Sequence, residues 1–144
     1  MTPEKLTEDQ LVLAQLVYHE VGHAVVALHF GWNVTSISRE PDADSHGRMT
    51  FSRGNYPAEQ DALVTIAGLI NTLAAGFGVA RSSRGCGGDL KHLATLDHSL
   101  TDTELWTAAL DILRSHQTAV DALAQDLTRT PTLTGLQFAR YFAC

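Results

Sequence analysis

The stretch Tyr18-His-Glu-Val-Gly-His-Ala-Val-Val26 places a glutamate and two histidines in the order HExxH. Two histidines four apart on a helix differ in azimuth by only about 40°, so His19 and His23 can present their imidazoles to one zinc ion from the same face. Glu20 lies beside them as a base for a water whose pKa zinc lowers to about 7. That chemistry is hydrolysis of a peptide bond, with the metal polarising the carbonyl and Glu20 handling the proton. A five-residue pattern is short, so its surroundings must agree with it.

They do. From Leu11 to Phe30 the chain is apolar and free of proline, Thr7 with Gln10 fits a capping box, and Gly31 fits a stop. The pattern predicts a helix of about twenty residues whose apolar circumference requires burial. His19, Glu20 and His23 then lie inside a core. Three ionisable groups buried on one turn are costly without a metal, which favours the metal reading over a hydrogen-bonded core cluster.

A catalytic zinc takes three protein ligands and keeps one position open, so a third ligand is required. His29 stands ten residues after His19, but position 26 is valine where the extended HExxHxxGxxH pattern needs a bend-forming glycine. On a continuous helix His29 is about 280° round from His19 and points away. Glu40, Glu59 and Glu104 are alternatives without distinctive surroundings. Asp89 is better placed, because it follows the glycine-rich Arg81-Ser-Ser-Arg-Gly-Cys-Gly-Gly88 and opens a helix whose first turn favours a carboxylate.

The remaining elements are read from periodicity. Val34 to Arg39 and Gly47 to Arg53 alternate as two strands of a hairpin, joined by the polar loop Glu40 to His46. Residues 47–53 are the candidate strand for holding a peptide or unfolded substrate as an added strand. Pro57 opens a core helix that reaches Gly76, residues 81–88 read as a loop, and a short amphipathic helix runs from Asp89 to His98. Thr101 with Glu104 is a second capping box, predicting one long helix to about Leu127 that Pro131 ends, and a last short helix falls near 135–142. The expectation is one α+β domain over residues 1–144, mostly α-helical, with a small antiparallel sheet on the HExxH helix and a helical C-terminal segment.

Composition narrows the partners. A hydrophobic share of 44% with 18% charged residues describes a soluble globular chain, and the net charge of -6 argues against nucleic acid and anionic membranes. The apolar run is interrupted by the site residues and the amino terminus lacks a signal-peptide pattern, so the expected location is the cytoplasm. Cys86 and Cys144 are too few for a disulfide framework. Cys86 reads as a buried thiol rather than a ligand, His92 as a partly exposed histidine one turn past Asp89, and His46, His98 and His116 as surface residues. Trp32 and Trp106 read as packing residues.

The residues quoted above also resemble the FtsH-type ATP-dependent zinc metalloproteases. Tyr18 to Val26 is similar to that family's HEaGHAvv helix, Gly22 included, and Gly68 to Leu93 resembles its segment from a glycine-containing helix to an aspartate. Leu110 to Gln117, Ala122 to Leu127 and Leu133-Thr-Gly look like the helical end of its protease domain. The resemblance implies that Asp89 is the third zinc ligand. The chain departs from that family where Leu73 and Ala74 replace an acidic pair and Gly88 an asparagine, and no ATPase module or membrane anchor is expected here. The implied protein is a stand-alone zinc endopeptidase that either is served by a separate unfoldase or activator or cuts peptides and unstructured segments by itself. The alternatives are a zinc-binding, non-proteolytic adaptor and a regulatory subunit that kept the peptidase fold.

Overall fold

The computed structural model describes residues 6–40, 48–52, 54–83 and 86–142. The expected loop from 41 to 46, with His46, lies outside the described residues, as do Gly47 and Arg53 of the expected second strand, and Cys144. In chain order the elements are α1 (Glu8–His29), β1 (Val34–Ser38), β2 (Arg48–Phe51), α2 (Ala58–Ala74), α3 (Val79–Ser82), α4 (Gly87–Thr95), α5 (Asp102–Ser115), α6 (Gln117–Arg129), β3 (Thr132–Thr134) and α7 (Gly135–Ala139). The fold is α+β and mostly helical, with one small antiparallel sheet.

α1 starts where its capping box predicts. The Gln10 amide donates to Thr7 Oγ1 at 3.3 Å and the Thr7 amide to Gln10 Oε1 at 3.0 Å, satisfying two donors that a helix start leaves open. Val17, Val21, Ala24, Val25, Val26 and Ala27 are fully buried, so α1 is the central rod around which the other elements pack. It ends at Gly31, whose φ of 79° suits a residue without a Cβ.

α2 crosses α1 at very short range. A Cβ on Gly22 would lie 2.5 Å from the Ala67 carbonyl oxygen and 2.8 Å from Asn71 Cβ, so only glycine permits this approach. Asn71 secures the crossing by donating from Nδ2 to the Tyr18 carbonyl at 2.7 Å.

The hairpin forms as expected, and a third strand joins it to give the order β2-β1-β3. An irregularity between Val34 and Ser36 lets Val34 and Ile37, three apart, both face the core. The sequence gives no sign of β3, since three residues carry almost no period and its partner β1 lies far back in the chain. Leu133 opposite Ile37 supplies its buried side chain.

Two expectations need correction. The long helix from Thr101 breaks at His116, where φ and ψ of -114° and 27° leave the helical region. Buried residues keep helical spacing across the break, from Leu105, Ala109 and Leu113 to Val120, Leu123 and Leu127, which hides it in the sequence. The break has a packing reason: α5 lies mainly on α2 and α6 mainly on α1, and one straight rod could not follow both. The loop expected over 81–88 is also shorter. α3 occupies Val79–Ser82, tied to the first turn of α1 by two bonds of 3.0 Å from Arg81 to Glu8, and α4 already begins at Gly87.

Candidate metal centre

α1 and α4 bring three donor groups together. His19 Nε2 lies 3.0 Å from Asp89 Oδ2, His23 Nε2 lies 3.1 Å from the same oxygen, and the two Nε2 atoms are 3.0 Å apart. In a tetrahedral site with zinc–ligand distances of about 2.0–2.1 Å, ligand atoms stand about 3.3 Å apart. The three atoms therefore fit one small divalent cation with little movement, and two imidazoles with one carboxylate suit zinc. Among the described residues, this is the group of three or more such side chains close enough to share an ion.

The electrostatics of the cluster also fit a cation. Burial disfavours charge on His23, but the Asp89 hydrogen bond and charge, the Glu20 charge and the Val64 carbonyl outweigh it and hold its pKa up at about 9. Burial likewise works against the Asp89 carboxylate, yet bonds from both histidines and their charge hold it well below the usual carboxylate range. A positive charge is thus wanted at the centre of the three groups. Without metal a proton supplies it; with metal the proton leaves.

Each imidazole is oriented from behind. His23 Nδ1 donates to the Val64 carbonyl at 2.7 Å, which directs Nε2 at the cluster. His19 Nδ1 faces Cys86 Sγ at 4.0 Å, and that thiol donates to the Ser82 carbonyl at 3.2 Å. Cys86 is therefore behind a histidine and outside the donor group, and burial together with the Asp89 charge pushes its thiol up to about 11. Gly68 of α2 forms the floor. A Cβ there would meet His23 Nε2 at 2.7 Å and His19 Cε1 at 2.8 Å.

Access is one-sided. His19, Glu20 and His23 are buried, while the Asp89 side chain is 33% exposed, so the cluster opens past α4. Asp89 occupies the first turn of α4, where backbone N–H groups favour a carboxylate.

The other candidates go elsewhere. His29 contacts His116, His92 Nε2 contacts Asp61 Oδ1 at 3.0 Å, and Glu104 accepts from the Thr101 amide as a cap. Glu59 accepts from Ser99 Oγ, and Arg39 Nη1 lies 3.9 Å from Glu40 Oε1. His98 Nδ1 accepts from the Leu100 amide. Trp32 is buried, donates to Gln60 Oε1 and stacks on Tyr56 at 3.9 Å, whereas Trp106 is exposed. Val64, Asn71 and Gly68 have no role that the sequence alone assigns. Only Gly68 leaves a signal there, since a glycine inside an apolar helix costs about 1 kcal/mol and often marks a close approach.

By length and composition alone α1 could cross a membrane, but most of its apolar stretch is buried within the fold. None of the curated proteins matches the chain. A family model does: Peptidase M50B-like, over residues 7–94. Those residues run from the cap of α1 into the last turn of α4 and contain His19, Glu20, His23 and Asp89. The family is one of metallopeptidases, as the sequence resemblance implies, though it is not the FtsH-type family. The match covers more than half of the 144 residues, and the chain belongs to the Peptidase M50B-like family.

Proposed function

We propose that this protein is a zinc-dependent endopeptidase acting as a single domain, with His19, His23 and Asp89 as metal ligands and Glu20 as general base. The observation that supports it most is the convergence of two oriented imidazoles and a carboxylate, 3.0 to 3.1 Å apart, beside a buried glutamate in a metallopeptidase family. Zinc held there would activate water and polarise the scissile carbonyl. Glu20, next to His19 on α1, takes the proton from the attacking water and returns it to the leaving amine. Val64 and Cys86 keep the imidazole lone pairs pointed at the centre, and Asp89, on the exposed side, leaves room for substrate.

β2 is an edge strand of the described sheet and can accept an extended peptide along residues 48–51. The preferred substrate is a peptide or unfolded protein, delivered where needed by a separate unfoldase or activator as in the FtsH-type proteases that the HExxH and Asp89 segments resemble. Nucleic acid is not a partner in this reading. The reading places the domain in the cytoplasm; the burial of α1 within the fold speaks against its spanning a membrane, whereas members of the wider M50 group are typically membrane proteins. Fractionation of cells tests this: recovery only after detergent extraction would contradict it.

The decisive test compares wild type with Glu20→Gln. The variant is expected to keep its zinc and lose cleavage of unfolded casein by 10²-fold or more, on the order of a general base's contribution. Retained cleavage would overturn the assignment of Glu20.

A further inference from the structure

The end of α1 meets the α5–α6 junction in a second pair of imidazoles, distinct from the buried cluster. His29 Nδ1 lies 3.0 Å from His116 Nε2, with ring planes at 72° and centroids 5.2 Å apart. His29 ends α1, and His116 is the junction residue between α5 and α6. The arrangement nearly repeats the His19–His23 pair, whose Nε2 atoms are also 3.0 Å apart, with rings at 84° and centroids at 4.6 Å.

We propose that His29 and His116 form a second, weaker binding site for a divalent transition-metal ion of the zinc type, with water completing its coordination. The donor spacing is again close to the roughly 3.3 Å expected between two ligands of one tetrahedral ion. Imidazole nitrogen suits zinc, copper and nickel. The rings are held by neighbours: Phe30 lies edge-on to His29 at 5.2 Å and Phe142 packs against His116 at 5.1 Å. His29 is exposed and His116 half-buried, so an ion reaches the pair directly from solvent. An ion here joins the end of α1 to the α5–α6 joint. Its effect is therefore a clip between elements and leaves the chemistry to the buried cluster.

The test is calorimetric titration of the purified protein with zinc chloride, wild type beside His29→Asn and His116→Asn, each checked for native circular dichroism. Wild type should bind one zinc more than either variant, in a weaker class, and zinc should raise its midpoint of thermal unfolding by a few degrees more. Both variants should cleave substrate like wild type. The site is read as a difference between wild type and variant, so it stands or falls independently of the buried cluster. Equal zinc counts in wild type and either folded variant would overturn it. Should His116→Asn fail to fold, His29→Asn decides the matter alone, because an exposed side chain at a helix end is not required for folding.

Discussion

The His19–His23 pair on α1 and the His29–His116 pair between the end of α1 and the α5–α6 joint share nearly the same local geometry and occupy opposite surroundings. His19 and His23 are buried, backed by Val64 and Cys86, floored by Gly68 and joined by Asp89. His29 and His116 have aromatic neighbours and direct one ring nitrogen each toward the other. Two nitrogens 3.0 Å apart therefore do not define a catalytic site. What separates the pairs is the third donor group, Asp89, the fixed tautomer and the adjacent Glu20 carboxylate. The first two depend on α4 and α2 rather than on α1.

The buried pair is the more demanding of the two, and substitutions there should have the largest effects. His23→Ala removes a proposed ligand and the bond to Val64, and should abolish both zinc retention on dialysis and cleavage; a variant that keeps stoichiometric zinc would show that the metal is held elsewhere. Next, Gly68→Ala drives a methyl into both imidazoles at 2.7 to 2.8 Å. Overpacking of this kind costs about 1–3 kcal/mol, partly offset by the roughly 1 kcal/mol that alanine gains over glycine in a helix. The expected outcome is weaker zinc binding in a protein that still unfolds cooperatively by circular dichroism, and unchanged affinity would remove Gly68 from the site. Cys86→Ala deletes the weak contact behind His19 and the thiol's bond to the Ser82 carbonyl, so zinc affinity should fall by about tenfold, the low end for a partner that supports a ligand from behind; complete loss of zinc would mean that the thiol is a ligand. At the exposed pair, His29→Asn should leave cleavage unchanged and, without added zinc, unfolding stability unchanged within about 0.5 kcal/mol. A large loss of activity there would join the middle and the end of α1 into one site.

What the sequence reveals follows from which interactions are local. The pairing of His19 with His23 and the capping boxes at Thr7 and Thr101 depend on residues three or four apart, and the sequence carries them in full. Asp89 lies 66 to 70 residues from its partners and is marked only by glycines and a helix start, with a family resemblance giving it a role. The Val64 carbonyl cannot be read at all, because every residue has one and only the α1–α2 crossing decides which of them meets His23. The break at His116 is hidden since apolar spacing persists through it, and β3 since three residues are too few to show a period. The resemblance points to a metallopeptidase, as the family model does, but to a different family from the one whose model matches over residues 7–94.

That α1 and α4 jointly hold one catalytic zinc is open to a single measurement: the zinc content of the purified protein after exhaustive dialysis, wild type beside Asp89→Ala and Glu20→Gln, with casein cleavage assayed on the same samples. One retained zinc is expected in wild type and Glu20→Gln, its loss in Asp89→Ala, and cleavage in wild type alone. A wild-type protein without zinc, or an Asp89→Ala variant that keeps it, would contradict the assignment.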